Sequence, residues 1–103
     1  MRIITINVNG IRAAARKGFF DWLGRQDADV ICVQETTAQE HQLDDPVFRP
    51  DGYHAYYVDA ERKGYSGVAI YSRHRPTRMV TAMGVDEFDR EGRYVEAQFA
   101  GIS

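Results

Sequence analysis

Asp29-Val30-Ile31-Cys32-Val33-Gln34-Glu35-Thr36 is the stretch that decides the fold of this 103-residue chain. It is an apolar, β-branched run closed by polar residues, and this pattern predicts a short buried strand over residues 29–34. A second run of the same kind, Ile3-Ile4-Thr5-Ile6-Asn7-Val8-Asn9-Gly10, predicts a strand over residues 2–8. Both strands end in polar groups at the point where each would leave the core.

The segment between these two strands has a helical pattern. Its apolar residues recur at helical spacing, so residues 11–25 are predicted to form one helix, which Gly18 kinks without ending. Strand, helix and strand in succession indicate an α/β fold. Farther along, we expect no internal boundary within residues 1–103, a short polar helix at 37–44, and strands at 53–59, 67–72, 77–83 and 93–99.

The polar ends of the first two strands predict a metal site. Asn7 and Asn9 close the first strand, and Glu35 closes the second. A carboxylate and carboxamides form an all-oxygen pocket suited to Mg²⁺, and α/β proteins bind ligands at this edge of a sheet. Structural roles are the alternative: an ion pair or helix cap for Glu35, a turn for Asn7, and a tight turn for Asn9-Gly10.

Composition narrows the class of protein. The net charge is −2 and the apolar fraction is 44%, which indicates a folded domain rather than a disordered segment. Cys32 is the single cysteine, so it predicts a buried, reduced thiol in a cytoplasmic protein. No apolar run approaches the roughly 20 residues that span a bilayer, so no membrane partner is expected. Basic residues gather in 10–25 and 60–78, a pattern that suits phosphate contacts or ordinary solvated faces.

Four segments together resemble the exonuclease III family of AP endonucleases, within the endonuclease/exonuclease/phosphatase superfamily. They occur in the family's order and at its spacing. They are Ile6-Asn7-Val8-Asn9-Gly10-Ile11-Arg12-Ala13, Asp29 to Thr36 as quoted above, Gly64-Tyr65-Ser66-Gly67-Val68-Ala69-Ile70-Tyr71-Ser72-Arg73, and Glu91-Gly92-Arg93. The resemblance implies the N-terminal half of a four-layer α/β-sandwich, in which two packed mixed β-sheets are flanked by helices.

The resemblance also implies roles for individual residues. Glu35 matches the family's carboxylate ligand to the catalytic Mg²⁺, for which Mn²⁺ is an alternative. Asn7 matches the asparagine beside that metal, which orients the phosphate, so Asn7 and Glu35 are the expected catalytic residues. Asn9 stands where relatives have Asn or Asp near the metal. Arg12 and the turn Lys63-Gly64-Tyr65 match positions at which family members contact the DNA backbone.

The implied function is that of a DNA-repair nuclease. Family members hydrolyse the phosphodiester 5′ to an abasic site in double-stranded DNA, and bacterial members also remove nucleotides and blocking groups from 3′ ends. The intact enzyme is expected to be a monomer.

Two departures from the family pattern qualify this prediction. Thr37 stands where the family often has Lys, which bears on metal affinity. Family members are also much longer, and their general base and Asp-His pair have no counterpart within these 103 residues. We therefore expect this chain to be catalytically incomplete. We also expect it to self-associate, because half of a two-sheet fold exposes an apolar face and an unpaired strand edge.

Two other functions remain open. One is a non-catalytic remnant that binds DNA or another protein. The other is a relative that acts on phosphoinositides or phospholipid head groups, against which the match of residues 62–73 to the DNA-acting branch argues.

Overall fold

The computed structural model describes residues 1–100, apart from the side chain of Phe88. The last three residues of the predicted 1–103 unit, 101–103, lie outside the described residues. The helices and strands are, in chain order, β1 (Ile3–Asn7), α1 (Ile11–Arg16), α2 (Phe19–Gly24), β2 (Val30–Gln34), β3 (His54–Val58), β4 (Val68–Ser72), β5 (Arg78–Val80), α3 (Asp86–Asp89) and β6 (Glu96–Gln98).

A four-stranded mixed sheet, in the order β1-β2-β4-β3, is the centre of the fold. β1 runs parallel to β2, because α1 and α2 carry the chain back to the start of the sheet. β4 runs antiparallel to both β2 and β3. β5 and β6 pair in a second, two-stranded antiparallel sheet. The predicted α/β class is therefore confirmed, with two sheets as expected.

The core lies between the main sheet and the helices α1 and α2. Ile31 and Val33 of β2 point to this side and pack with Ile11 and Leu23, and all four are at most 1% exposed. Cys32 alternates with them, so its side chain points to the opposite face of the sheet and is half-buried. The prediction of a buried thiol is wrong in this respect, although partial burial still raises the pKa of Cys32 through desolvation.

The single helix predicted over residues 11–25 is also wrong. α1 ends at Arg16 and α2 begins at Phe19, because Gly18 between them takes a left-handed conformation with φ of 94°. The polar helix predicted over 37–44 is reduced to a 3₁₀ turn, Glu40–Gln42, and the strands predicted over 77–83 and 93–99 shorten to β5 and β6.

One face of the main sheet is partly open. Val30 and Cys32 on this face line a cleft with Val95 and Ala97 of the segment around β6. Ile3, on the outer strand β1, is 58% exposed at the mouth of the same cleft. This apolar cleft motivates the expectation of self-association, which stays a prediction. Within residues 1–100, no helix is long and apolar enough to cross a membrane.

The chain just before β1 is fastened to Asp29, which precedes β2. The Arg2 main-chain N–H donates to Asp29 Oδ2 at 2.8 Å, and His74 Nε2 lies 3.1 Å from Asp29 Oδ1. The bond from Arg2 and then the bond from His74 lower the pKa of the Asp29 carboxyl group. A lowered pKa means that the ionised carboxylate stabilises the folded state.

We expect Asp29→Asn to flatten the acid limb of the stability profile. The contribution of Asp29 is present above its unfolded-state pKa, about 3.9, and is lost as pH falls through its lower folded-state pKa. Urea unfolding at a series of pH values from neutral down to acid measures this. Asp27→Asn is the matched control, because the Asp27 side chain is fully exposed. Parallel acid limbs in the wild type and Asp29→Asn would contradict the expectation.

Candidate active site

Three loops meet at the edge of the main sheet where β1 and β2 end and β4 begins. The Gly10 N–H donates to the Glu35 carbonyl oxygen at 2.8 Å, which joins the loop after β1 to the loop after β2. The Thr37 N–H donates to the Ser66 carbonyl oxygen at 2.7 Å, which joins the loop after β2 to the loop before β4. The loop that carries Glu35 is therefore held by backbone hydrogen bonds on both sides.

Backbone strain is concentrated in these same three loops. Among residues 1–100, four non-glycine residues have positive φ, namely Asn9 (49°), Glu35 (56°), Thr37 (52°) and Ser66 (49°). A left-handed conformation costs a residue with a side chain on the order of 1 kcal/mol. Strained backbone of this kind persists where surrounding contacts enforce it, and it is typical of functional sites.

Asn7 links the end of β1 to Glu35. Its side-chain Nδ2 donates to Glu35 Oε2, and its Oδ1 accepts the Asn9 main-chain N–H at 3.0 Å. The Asn9 N–H can only donate, so the amide oxygen of Asn7 must face it, which leaves the amide nitrogen for the carboxylate. The structure therefore brings the predicted residues Asn7 and Glu35 together, with Asn9 joined to them through its backbone.

The donor chemistry of this pair fits a hydrated Mg²⁺ ion. Glu35 is exposed and offers one carboxylate, and Mg²⁺ binds proteins through one or two carboxylates while it keeps several waters. No group of three or more His, Cys, Asp or Glu side chains that could hold a metal occurs in the described part of the chain, so the site is not an all-protein cage. Metal ligation by Glu35, Asn7 and Asn9 stays a prediction.

Arg12 lies next to this edge, on the first turn of α1. It is exposed, and with Arg16 it lines a polar cleft that also includes Asn9 and Thr37. Thr37 is the position at which the family resemblance predicts a lysine. Two arginines of α1, Arg12 and Arg16, therefore border the cleft at which Thr37 replaces the expected lysine.

The predicted DNA-contact turn, Lys63-Gly64-Tyr65, connects β3 to β4 at the same edge. Lys63 and Gly64 are exposed, whereas Tyr65 is half-buried. Two guanidinium groups lie over the Tyr65 ring. The guanidinium carbon of Arg62 is 5.5 Å from the ring centroid and that of Arg93 is 5.3 Å from it, and both are cation–π distances. Arg62, just before the turn, and Arg93, farther along the chain, therefore place basic groups around the Tyr65 ring.

Sequence reasoning missed the partners of Tyr65. Its hydroxyl lies 3.1 Å from Glu91 Oε1 and accepts a hydrogen bond from Arg93 Nη2 at 2.6 Å. The hydrogen bonds that Arg93 donates to Tyr65 and to Glu91 raise the pKa of Arg93. The only signal in the sequence was the Glu91-Gly92-Arg93 motif, which had carried no assigned role.

A sequence model of the Endonuclease/Exonuclease/phosphatase family matches residues 4–102. The chain belongs to this family. It is 43% identical to an exodeoxyribonuclease of Bacillus subtilis over 103 residues, which is 99% of this chain and 40% of that protein. It is 39% identical to the DNA repair nuclease APEX1 of Danio rerio over 101 residues, which is 96% of this chain and 33% of that protein.

A solved structure supports the same family fold. The structure of an AP endonuclease from Archaeoglobus fulgidus matches with a TM-score of 0.82 and 31% identity, and the match covers 98% of this chain and 38% of that one. The predicted resemblance and the α/β fold are therefore confirmed. This member of the endonuclease/exonuclease/phosphatase family spans 40% or less of the length of these three relatives.

Proposed function

We propose that this chain carries the metal-binding carboxylate and part of the DNA-backbone surface of a Mg²⁺-dependent DNA-repair nuclease. The proposed reaction is hydrolysis of the phosphodiester 5′ to an abasic site, together with trimming and cleaning of 3′ ends. The observation that carries the proposal is the hydrogen-bonded pair formed by Asn7, at the end of β1, and Glu35, whose own backbone is strained, at one edge of the sheet. The names of the relatives, an exodeoxyribonuclease and a DNA repair nuclease, support DNA as the substrate.

Glu35 and Asn7 have different proposed roles at the scissile phosphate. Glu35 would hold Mg²⁺, or Mn²⁺ in its place, and the bound metal would neutralise the charge that develops on the phosphate and leaving oxygens. Asn7 holds the Glu35 carboxylate through its amide nitrogen, while the Asn9 N–H fixes the amide from the other side. Because these groups are already oriented, little reorganisation is needed when the substrate arrives.

Contacts to the DNA backbone come from Arg12 and from the turn of residues 63–65. Both lie at the edge that carries Glu35, one on each side of its loop. Charged and aromatic groups that contact phosphates and sugars position a duplex without reading its bases. Such contacts suit a repair nuclease, because damage occurs in any sequence.

A general base for this reaction is not supplied by His74. It follows β4, at the end of the sheet opposite Glu35, and its Nε2 lies 3.1 Å from Asp29. Because the general base and the Asp-His pair that the family resemblance implies have no assigned counterpart among these residues, we propose that the 103-residue chain binds the substrate backbone and the metal but does not complete hydrolysis alone. A DNA-binding role without cleavage is the second candidate function, favoured by the short span of the family fold that the chain covers.

Binding and incision are tested on one substrate, a duplex with a single abasic site. We expect the purified chain to bind it in a salt-dependent manner and to leave it uncut in Mg²⁺, as in EDTA. Arg12→Ala should reduce the slope of log affinity against log salt by about one. Arg75→Ala, at the opposite end of the sheet, is the control and should leave the slope unchanged.

Each departure from this result has its own meaning. Incision in Mg²⁺ that disappears in Glu35→Ala would show that these 103 residues are sufficient for hydrolysis. That result would overturn the proposed catalytic incompleteness but support the role of Glu35. Absence of binding even at low salt would overturn the proposed DNA surface.

A further inference from the structure

The turn formed by Glu91-Gly92-Arg93 is distant from Tyr65 in sequence but hydrogen-bonds to its side chain. Glu91 Oε1 lies 3.1 Å from the Tyr65 hydroxyl and 3.3 Å from Arg93 Nε, and Arg93 Nη2 lies 2.6 Å from the same hydroxyl. The three side chains therefore form a closed triangle of hydrogen bonds. One corner lies in the DNA-contact turn, and the other two lie in the turn that precedes β6.

Backbone packing independently fixes the same turn against the chain after β3. An ideal Cβ built on Gly92 would lie 2.4 Å from the Ala60 nitrogen and 2.5 Å from the Asp59 carbonyl carbon, so only glycine allows this approach. The Glu61 N–H also donates to the Arg90 carbonyl oxygen at 2.9 Å. The turn is therefore docked on the segment that leads into residues 62–65.

The charge of Glu91 is unexpected for a surface that contacts DNA. A carboxylate beside a phosphate backbone is repelled by it and weakens binding. Its contacts give it a different use, because it accepts from Tyr65 and pairs with Arg93. The negative charge of Glu91 attracts the guanidinium group of Arg93, and their hydrogen bond fixes its orientation. Glu91 therefore holds Arg93 over the Tyr65 ring.

We propose that Glu91-Gly92-Arg93 is a positioning element for the DNA-contact turn, with Glu91 as its positioning residue. The element holds Tyr65 and the basic groups around it in the orientation that meets the phosphate backbone. This inference rests on the proposed function, since it assumes that residues 63–65 contact DNA.

The sign of a binding change separates positioning from plain electrostatics. Removal of an acidic side chain from a DNA-facing surface tightens binding if charge alone matters, by as much as about eightfold at 0.1 M salt for one charge. We expect Glu91→Ala instead to weaken binding of a duplex with one abasic site, about fivefold, because Tyr65 and Arg93 lose their shared partner. Glu91→Gln, which keeps an acceptor oxygen, should lie between Glu91→Ala and the wild type.

Glu87→Ala is the matched control. Glu87 is exposed, carries the same charge and lines the same cleft as Tyr65 and Glu91. We expect binding by Glu87→Ala to be unchanged or tighter than that of the wild type. Binding by Glu91→Ala that equals or exceeds binding by Glu87→Ala would overturn the inference, provided that both variants melt cooperatively.

Hydrogen exchange tests the positioning without DNA. Amides 62–66 should exchange faster in Glu91→Ala than in the wild type and in Glu87→Ala, because the turn loses its tether. Unchanged exchange in Glu91→Ala would overturn the inference even if the wild type binds DNA. Failure of the wild type to bind DNA, with faster exchange in Glu91→Ala, would refute the proposed function and the DNA-facing purpose of the element, but not the tether.

Discussion

Gly67→Ala is expected to lower the free energy of unfolding by about 3 kcal/mol or more. Gly67 has φ of +89°, which a residue with a side chain adopts only with strain. An ideal Cβ at this position would also lie 2.2 Å from Thr36 Oγ1, and Thr36 is 2% exposed, so it has little room to move. Strain and overpacking therefore add, and each costs on the order of 1–3 kcal/mol.

Gly64→Ala separates the two contributions. Gly64 has φ of +67°, but nothing lies within 4 Å of a Cβ built on it. It should therefore cost only the conformational strain, about 1–2 kcal/mol. Urea unfolding of both variants measures the difference, and Gly67→Ala with added Thr36→Ala should recover part of the loss. Equal costs for Gly64→Ala and Gly67→Ala would show that Thr36 does not crowd this position.

The consequence of this contact reaches the candidate active site. Thr36 directly follows Glu35, and its N–H donates to the Gly67 carbonyl oxygen at 3.1 Å. A side chain at residue 67 that displaces Thr36 also displaces the loop that carries the carboxylate. Gly67 thus couples the start of β4 to the position of Glu35.

The strands of the main sheet were predictable from the sequence because each is a short apolar run with its own closing residues. β2 shows this best, since its central position in the sheet gives it a continuous apolar run from Val30 to Val33, although Cys32 within that run is only half-buried. The strand ends were predictable for the same reason, and with them the meeting of Asn7 and Glu35. Local pattern and tertiary structure agree at this edge.

Features that depend on backbone conformation or on distant contacts were not predictable. Gly18 looks like a tolerated helix interruption, and only its left-handed φ separates α1 from α2. The helix α3 was missed because its four residues are too few for a helical period. The contact of Tyr65 with Glu91 joins residues 26 positions apart, so no local pattern in the sequence reports it.

Loss of the Glu35 carboxylate has the largest expected effect at the candidate site. We expect Glu35→Ala to weaken binding of Mn²⁺, as a probe of the Mg²⁺ site, by about a hundredfold or beyond detection. The Asn7 amide orients the Glu35 carboxylate at this edge, and Mg²⁺ usually binds proteins through one or two such carboxylates, so loss of this one removes the main ligand. Paramagnetic resonance of free Mn²⁺, titrated with the protein, measures the affinity directly.

Two further variants test how specific this effect is. Asn7→Ala separates orientation of Glu35 from metal ligation, and Glu40→Ala controls for general surface charge. Asn7 touches Glu35 through its amide nitrogen, so its loss should cost about tenfold in affinity, as expected for a group that orients a ligand. Glu40 is also an exposed carboxylate, and it lies in the 3₁₀ turn Glu40–Gln42 away from Asn7, so its loss should change nothing. If Asn7→Ala matched Glu35→Ala, Asn7 would act as a ligand through its oxygen, and its bond to the Asn9 N–H would have to break on binding. If Glu40→Ala matched Glu35→Ala, the Mn²⁺ would be held by general surface charge, and this sheet edge would not be a metal site.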